Sequence, residues 1–165
     1  MKIDVRRFFE IEGEREDFSF ELDLSDTDIW THKPLVSPVK IEGYVQSRSS
    51  IVTLAYKAFA PMHTFCDRCL CDYDSSIDLD FEYTLVKELQ DSDAQEYILV
   101  EGDFLDLGEL CSSDVVLNLP LKFLCREDCK GLCPICGTNL NLSDCDCLNS
   151  QTDPRLAALK KLLEN

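Results

Sequence analysis

Alternation of apolar and polar residues dominates the chain. Ile3, Val5, Phe9 and Ile11 share one parity around Arg7, and Phe18, Phe20, Leu22 and Leu24 repeat the pattern with Ser19 and acids between them, which predicts two half-buried strands. The link Glu12-Gly13-Glu14-Arg15-Glu16-Asp17 is short and charged, so it reads as a hairpin loop. From residue 25 to 38 the periodicity fails, and Pro34 and Pro38 remove backbone donors; a loop with one helical turn over 27–30 is expected. Val39, Ile41 and Val45 then alternate with Lys40, Glu42, Tyr44 and Gln46, and beyond Ser47-Arg48-Ser49-Ser50 the run 51–60 is rich in β-branched and aromatic residues. This is the strongest hairpin pattern in the sequence. Ile77, Leu79, Phe81, Tyr83 and Leu85 alternate with Asp78, Asp80, Glu82 and Thr84, giving an antiparallel-type strand with a wet acidic face. After a polar connection over 87–95, residues 97–100 suit one more short strand.

Helical spacing occurs twice. Leu107, Leu110, Cys111 and Val115 fall at i, i+3, i+4 and i+8, a face that should pack on the sheet, with Pro120 ending the helix. Cys111 on that face reads as a small core hydrophobe before it reads as a ligand. Asp153 as N-cap and Pro154 as first helical residue open a segment with Leu156, Leu159 and Leu163 on one stripe, a short amphipathic helix expected to dock on its own domain. The fold class is therefore α+β. An antiparallel β-rich body over 1–121 with one packed helix is expected, with a separate C-terminal segment over 122–150 packed on that body and an amphipathic helix over 151–165. With 165 residues and 45% hydrophobic content, the chain suffices for one ordinary core.

The cysteines add a chemistry that the strand pattern does not need. Of ten in the chain, six crowd into the stretch from Cys125 to Cys147. Cys133-Pro134-Ile135-Cys136-Gly137 has two thiols able to face one ion, and Gly137 supplies the left-handed backbone that closes the turn. Cys145 and Cys147 offer two more sulfurs, and Asn139 and Asn141 suit the tight return between the pairs. Cys125 and Cys129 form a further pair, with a distant partner in Cys66-Asp67-Arg68-Cys69. Four close pairs make two four-sulfur sites, hence two zinc ions. Cys66, Cys69, Cys125 and Cys129 are expected to share one ion, and Cys133, Cys136, Cys145 and Cys147 the other, because the last four make a self-contained loop. Cys71 and Cys111 are left over. Iron–sulfur ligation fits less well, since the spacing matches neither common ferredoxin pattern.

Compartment and charge bear on partners. The first residues show no apolar run of about 7 or more before a small-residue cleavage site, and no stretch of about 18 uncharged apolar residues occurs, so a cytoplasmic protein without membrane contact is expected. In that compartment thiols stay reduced and read as ligands before they read as disulfides. The formal charge is −16, from 32 acidic and 16 basic residues. Such a surface repels phosphates, which favours a basic protein as the direct partner and weak binding of nucleic acid.

Catalytic signatures do not emerge. His32 and His63 form no H-E-x-x-H pair, and His63 could at most be an extra ligand near Cys66. There is no G-x-S-x-G elbow, phosphate-binding glycine loop or dinucleotide fingerprint. Asp78/Asp80 and Asp144/Asp146 read as solvated faces, and four sulfurs per ion leave no open position for substrate. A noncatalytic protein is expected.

Several of these residues together resemble a known family. Cys66-x-Arg68-Cys69-Leu70, Leu117-Asn118-Leu119-Pro120-Leu121, Leu124-Cys125, the run Asp128-Cys129-Lys130-Gly131-Leu132-Cys133-Pro134-Ile135-Cys136-Gly137, Asn139-Leu140-Asn141 and Cys145-x-Cys147 are similar to the YceD family of large ribosomal RNA subunit accumulation proteins. The terminal Asp153-Pro154-Arg155-Leu156 matches the family's end, and the likeness covers roughly residues 37 to 163. The Cys-rich tail resembles the Gram-positive form. The resemblance implies a bacterial, cytoplasmic protein that supports large-subunit ribosomal RNA accumulation, and with the acidic charge it leads to the expectation of contact with a basic ribosomal protein or a pre-large-subunit particle. Two alternatives stay open: a redox-responsive zinc–thiolate protein, and a direct ribosomal RNA binder using Lys122, Arg126 and Lys130.

Overall fold

The structure, a computed structural model, describes residues 1–28, 33–88 and 97–147. The chain divides into two compact units, one of Met1–Thr64 with Asp74–Leu121 and one of Phe65–Tyr73 with the residues from Lys122 on. In the first unit, strands β2 (Arg15–Leu22), β3 (Val39–Arg48), β4 (Ile51–Phe65), β5 (Asp72–Val86) and β6 (Tyr97–Leu99) form one sheet in the order β2-β3-β4-β5-β6. Strands β1 (Lys2–Asp4) and β7 (Phe104–Asp106) form a separate two-stranded sheet, and the helices are α1 (Arg6–Glu10) and α2 (Leu107–Leu117). The predicted α+β class holds, with β-structure dominant. Strands β4 and β5 each continue into the second unit at one end.

The hairpin β3–β4 follows its pattern closely. Val39, Ile41 and Val45 are buried on one strand and Val52, Leu54, Tyr56, Ala58, Ala60 and Met62 on the other, while the alternate residues face outward. Ladder pairs run from Lys40↔Phe59 to Arg48↔Ile51, leaving Ser49 and Ser50 as a two-residue turn. Both have positive φ, 52° and 63°, as a primed turn on right-twisted strands requires. Serine tolerates this region less well than Asn or Gly. Ser49→Asn combined with Ser50→Gly should therefore raise stability by about 1 kcal/mol, seen as a higher denaturant midpoint with unchanged slope.

The first 24 residues depart from the expected hairpin. Apolar parity pointed to Phe9 and Ile11, but the buried side chains are Ile3, Val5 and Phe8, and Ile11 is exposed. The Asp4 carboxylate accepts the Arg6 N–H at 3.0 Å, and the chain turns into α1, whose helical spacing brings Phe8 inward. β1 does not pair with β2. It pairs antiparallel with β7, in the register Lys2↔Asp106 to Asp4↔Phe104. β7 itself was not expected, since three residues give no period to read. A second difference lies at the sheet edge, where β6 pairs parallel to β5 through Thr84↔Tyr97 to Val86↔Leu99. Part of the expected turn over 27–30, and the whole amphipathic helix from Asp153, lie outside the described residues.

α2 begins where its signal predicts. The Asp106 carboxylate caps the helix, accepting the N–H groups of Gly108 at 3.0 Å and Glu109 at 3.3 Å, a contribution of about 1 kcal/mol. Leu107, Cys111 and Val115 are buried, with Leu110 half-buried. Cys111 thus lies in the core. Asp114 accepts a short hydrogen bond from the Tyr56 phenol, tying α2 to β4. Burial and then Asp114 raise the Tyr56 phenol far above its ordinary range, and burial and then Asp114 push Tyr83 up to about 12. A raised phenol pKa stabilises the fold below the unfolded value near 10, and the contribution is lost as pH rises through 12. Absorbance at ~295 nm should show these two phenols ionising in a late alkaline step coincident with loss of structure. A step complete well before unfolding would contradict the α2–sheet contact.

Candidate metal centres

Both cysteine groups belong to the second unit. The first knuckle is the connection between β4 and β5. The Leu70 N–H donates to the Cys66 carbonyl at 2.9 Å, and Leu70 has φ +56°. The second knuckle repeats the geometry: the Gly137 N–H donates to the Cys133 carbonyl at 2.9 Å, with φ +73°. Each left-handed residue reverses the chain after the second cysteine, so both sulfurs face one point. Glycine adopts this freely, whereas Leu70 carries a steric cost.

The structure brings Cys66, Cys69, Cys125 and Cys129 into one group and Cys133, Cys136, Cys145 and Cys147 into another, the sulfurs within each lying within 4.8 Å of one another. In the first, Cys66 Sγ is 3.8 Å from Cys129 Sγ and Cys69 Sγ is 3.7 Å from Cys125 Sγ. A tetrahedral ion with metal–sulfur bonds of ~2.3 Å sets its sulfurs ~3.8 Å apart. Donor set and spacing fit such an ion. Cys66, Cys69 and Cys129 are buried, with Tyr73, Leu124 and Leu132 packed against them. The second group is more open, with Cys133 buried and Cys136 exposed. All ten cysteines are free thiols.

Charge within each group is unevenly shared. At Cys66 burial opposes ionisation, but the N–H groups of Cys125, Cys69 and Arg68 outweigh it and bring the thiol down to about 6. Cys125 moves the other way, raised by burial and by hydrogen bonds to neighbouring sulfurs. In the second group Thr138 lowers Cys136 to about 6, while Cys133 drives Cys145 up to about 12. Each group thus sets a thiol shifted down beside one shifted up. A cation bound in either group would displace the thiol protons that remain, which would couple metal binding to proton release.

Supporting residues escaped the sequence reading because they act through hydrogen bonds rather than through ligand chemistry. The Asp67 carboxylate accepts the Phe123 N–H at 2.7 Å, and the Asp67 N–H donates to the Phe123 carbonyl at 2.8 Å. Arg68 Nη1 donates to the Cys129 carbonyl at 2.8 Å, and the Leu132 N–H donates to the Arg68 carbonyl at 3.1 Å. These bonds stitch the first knuckle to the 122–132 segment. Asn141, read as a turn former, also donates to Cys129 Sγ at 3.3 Å while accepting the Lys130 N–H at 2.8 Å. It thereby supports a ligand sulfur of the first group. Cys71, unassigned by spacing, has its sulfur 3.2 Å from Cys69 Sγ. His63 is exposed and paired with Asp74 at 2.8 Å. His32 lies outside the described residues.

Comparison with known proteins supplies the wider context. The family model described as large ribosomal RNA subunit accumulation protein YceD matches residues 54–163, which include every cysteine of both groups. The chain belongs to the YceD family. Among relatives, the uncharacterized protein YlbN of Bacillus subtilis is 28% identical over 134 residues, spanning 78% of this chain and 76% of its own. The uncharacterized protein Rv2926c of Mycobacterium tuberculosis is 32% identical over 123 residues, 72% of this chain and 59% of its own. The uncharacterized protein ML1660 of Mycobacterium leprae is 31% identical over 110 residues, 63% of this chain and 50% of its own. No solved structure matches the chain. Among the described residues of this YceD-family chain, no helix is long and apolar enough to cross a membrane.

Proposed function

We propose that the chain is a noncatalytic, zinc-binding factor of the cytoplasm that supports accumulation and assembly of large-subunit ribosomal RNA through contact with a basic ribosomal protein or a pre-large-subunit particle. The observation that carries this reading is the YceD match over both cysteine groups, which ties the ribosomal description to the part of the chain holding them. Cys66, Cys69, Cys125 and Cys129 would hold one zinc ion and Cys133, Cys136, Cys145 and Cys147 a second. Bound zinc supplies a cross-link between distant segments, and four thiolates per ion complete its tetrahedral shell.

The choice of a protein partner over RNA rests on charge. The formal net charge is −16, and Asp78, Asp80 and Glu82 stand exposed in a row on β5. Lys122, Arg126 and Lys130 are exposed too, but Glu127 and Asp128 interleave with them and Arg126 Nε lies 3.5 Å from the Asp128 carboxylate. Counterion release from phosphates needs several unopposed cations. Binding to isolated basic ribosomal proteins and to large-subunit RNA fragments should be compared at ~150 mM salt, where screening acts beyond about 8 Å. The expected result is affinity for at least one basic ribosomal protein and weak RNA binding. Tight, salt-sensitive RNA binding with no affinity for any such protein would refute the reading.

The fifth sulfur favours a second reading. Cys71 beside Cys69 supplies a thiol that can condense with an oxidised ligand, so a zinc–thiolate protein answering to oxidant would release metal under mild peroxide.

A further inference from the structure

The outward face of the five-stranded sheet is hollow across its middle strands. A depression of about 860 Å³ opens over β2 to β5, with Tyr44 and Ala55 on its floor and Asp17, Glu42, Asp80 and Glu82 among its lining. Outward direction follows from the alternation: Phe18 and Tyr56 on the opposite parity are buried, whereas Asp17, Glu42, Asp80 and Glu82 are exposed. Lys57 is the one cation of the lining, and it is already held by Asp80 at 2.7 Å. A second hollow of about 290 Å³ shares Glu42, Lys57 and Asp80 with the first, adds Lys40 and Asp78, and continues to Phe59, which is 40% exposed. The two form an elongated track with apolar footholds and a carboxylate rim.

The chain itself shows what this rim binds. Arg15 lays its guanidinium over the Tyr44 ring at 4.0 Å and donates to the Asp17 carboxylate from Nη2 at 2.7 Å and from Nε at 3.2 Å. Ring face and carboxylate thus recognise a guanidinium together, by cation–π contact and charge-assisted hydrogen bonding. Farther along the track Glu42 and Glu82 are exposed carboxylates to which no cation of the chain is bonded at comparable distance among the described residues.

We infer that this track is the docking groove for an extended, Arg/Lys-rich protein segment bearing one apolar anchor. The inference deepens the proposed function and rests on it for the identity of the partner, because a basic ribosomal protein carries such segments. Phosphate-rich RNA is disfavoured along this track, whose two hollows are lined by five carboxylates, Asp17, Glu42, Asp78, Asp80 and Glu82, against two ammoniums, Lys40 and the already paired Lys57. The basic residues meet the rim and the apolar one occupies the floor at Ala55, beside the Tyr44 ring that Arg15 covers, so charge steers the encounter and the anchor holds it.

The test uses the full chain and fluorescence anisotropy of a labelled Arg/Lys-rich peptide with one central Phe, its Phe-to-Ser counterpart and a single-stranded RNA of equal length. Glu42→Gln with Glu82→Gln should weaken peptide binding about tenfold at ~50 mM salt and less at higher salt. Ala55→Trp, which fills the floor without changing charge, should weaken it by a similar factor. Glu12→Gln with Glu101→Gln, an equal charge change at two exposed sites outside the track, should leave it within about twofold. Circular dichroism checks that each variant folds, and if Ala55→Trp does not, the two Gln pairs alone decide. Equal losses in both Gln pairs, no peptide binding, or RNA competing for the groove would overturn the inference. Basic ribosomal protein bound equally by wild type and the groove pair rejects the groove and leaves the proposed function standing. Peptide seated in the groove with no ribosomal protein bound does the reverse.

Discussion

Cys66→Ser is expected to strip the first metal ion and loosen residues 65–73 and 122–132 together, while Cys69→Ser alone should retain much of that ion. The difference comes from Cys71. Its sulfur lies 3.2 Å from Cys69 Sγ, close enough to take the vacated position, whereas among the described residues the only sulfurs at hydrogen-bond distance from Cys66 and Cys129 are ligands of their own group. The double variant Cys69→Ser with Cys71→Ser should therefore behave like Cys66→Ser, and Cys71→Ser or Cys111→Ser alone should keep two ions per chain. Structural zinc in small domains contributes about 10–16 kcal/mol of folding free energy, so losing one of four ligands is expected to cost several kcal/mol. Chelator should release both ions and remove protection around both knuckles, leaving the β3–β4 hairpin with its own buried face. Metal analysis gives the stoichiometry, and hydrogen exchange locates the loosening. One ion or none in wild type prepared without chelator would sink the two-site reading. Exchange confined to 66–71 in Cys66→Ser would separate the first knuckle from the 122–132 segment.

Legibility in the sequence tracked how local each signal was. Strands β3 and β4 could be read because one face is buried throughout, so Val39, Ile41, Val45, Leu54 and Ala58 leave a strict two-residue period. α2 could be read from its buried face of Leu107, Cys111 and Val115, whereas its cap Asp106 was found only in the structure. The first residues misled because Phe8 and Phe9 are both apolar, and only the turn into α1 decides which is buried. The pairing of β1 with β7 joins segments about a hundred positions apart and leaves no trace in either local pattern. β5 begins earlier than its apolar alternation, because Asp72, Asp74, Ser75 and Ser76 are paired in the sheet yet exposed. At the cysteine groups, ligand spacing made the knuckles visible, while Arg68 and Asn141 stood in the family likeness without any spacing that foretells their hydrogen bonds. Their roles depend on backbone groups that come near only once the chain has folded.

Gly43→Ala reverses an ordinary rule and is the sharpest probe of the β3–β4 interface. Glycine within a strand usually weakens it, and alanine then stabilises by reducing the freedom of the unfolded chain. Here Gly43 pairs with Tyr56, and an added Cβ would sit 2.4 Å from the Ala55 carbonyl oxygen, 2.4 Å from Tyr56 Cβ and 2.8 Å from Tyr56 Cα. These are backbone and near-backbone atoms with no rotamer to move aside. Relief requires the strands to part, which strains the ladder from Lys40↔Phe59 to Arg48↔Ile51 and pulls the Tyr56 phenol from Asp114. Overpacking of this kind costs about 1–3 kcal/mol, and for a chain of this size about 2–4 °C of melting temperature accompanies each kcal/mol. A loss of about 2–12 °C is expected, together with an earlier alkaline ionisation of Tyr56. Gly13→Ala serves as the contrast: nothing lies within 4 Å of its added Cβ, but φ is +83°, so its cost of about 1 kcal/mol arises from backbone conformation alone. A melting temperature for Gly43→Ala at or above wild type would mean that β3 and β4 do not approach this closely, and the floor of the outward groove, built on the same residues, would have to be redrawn.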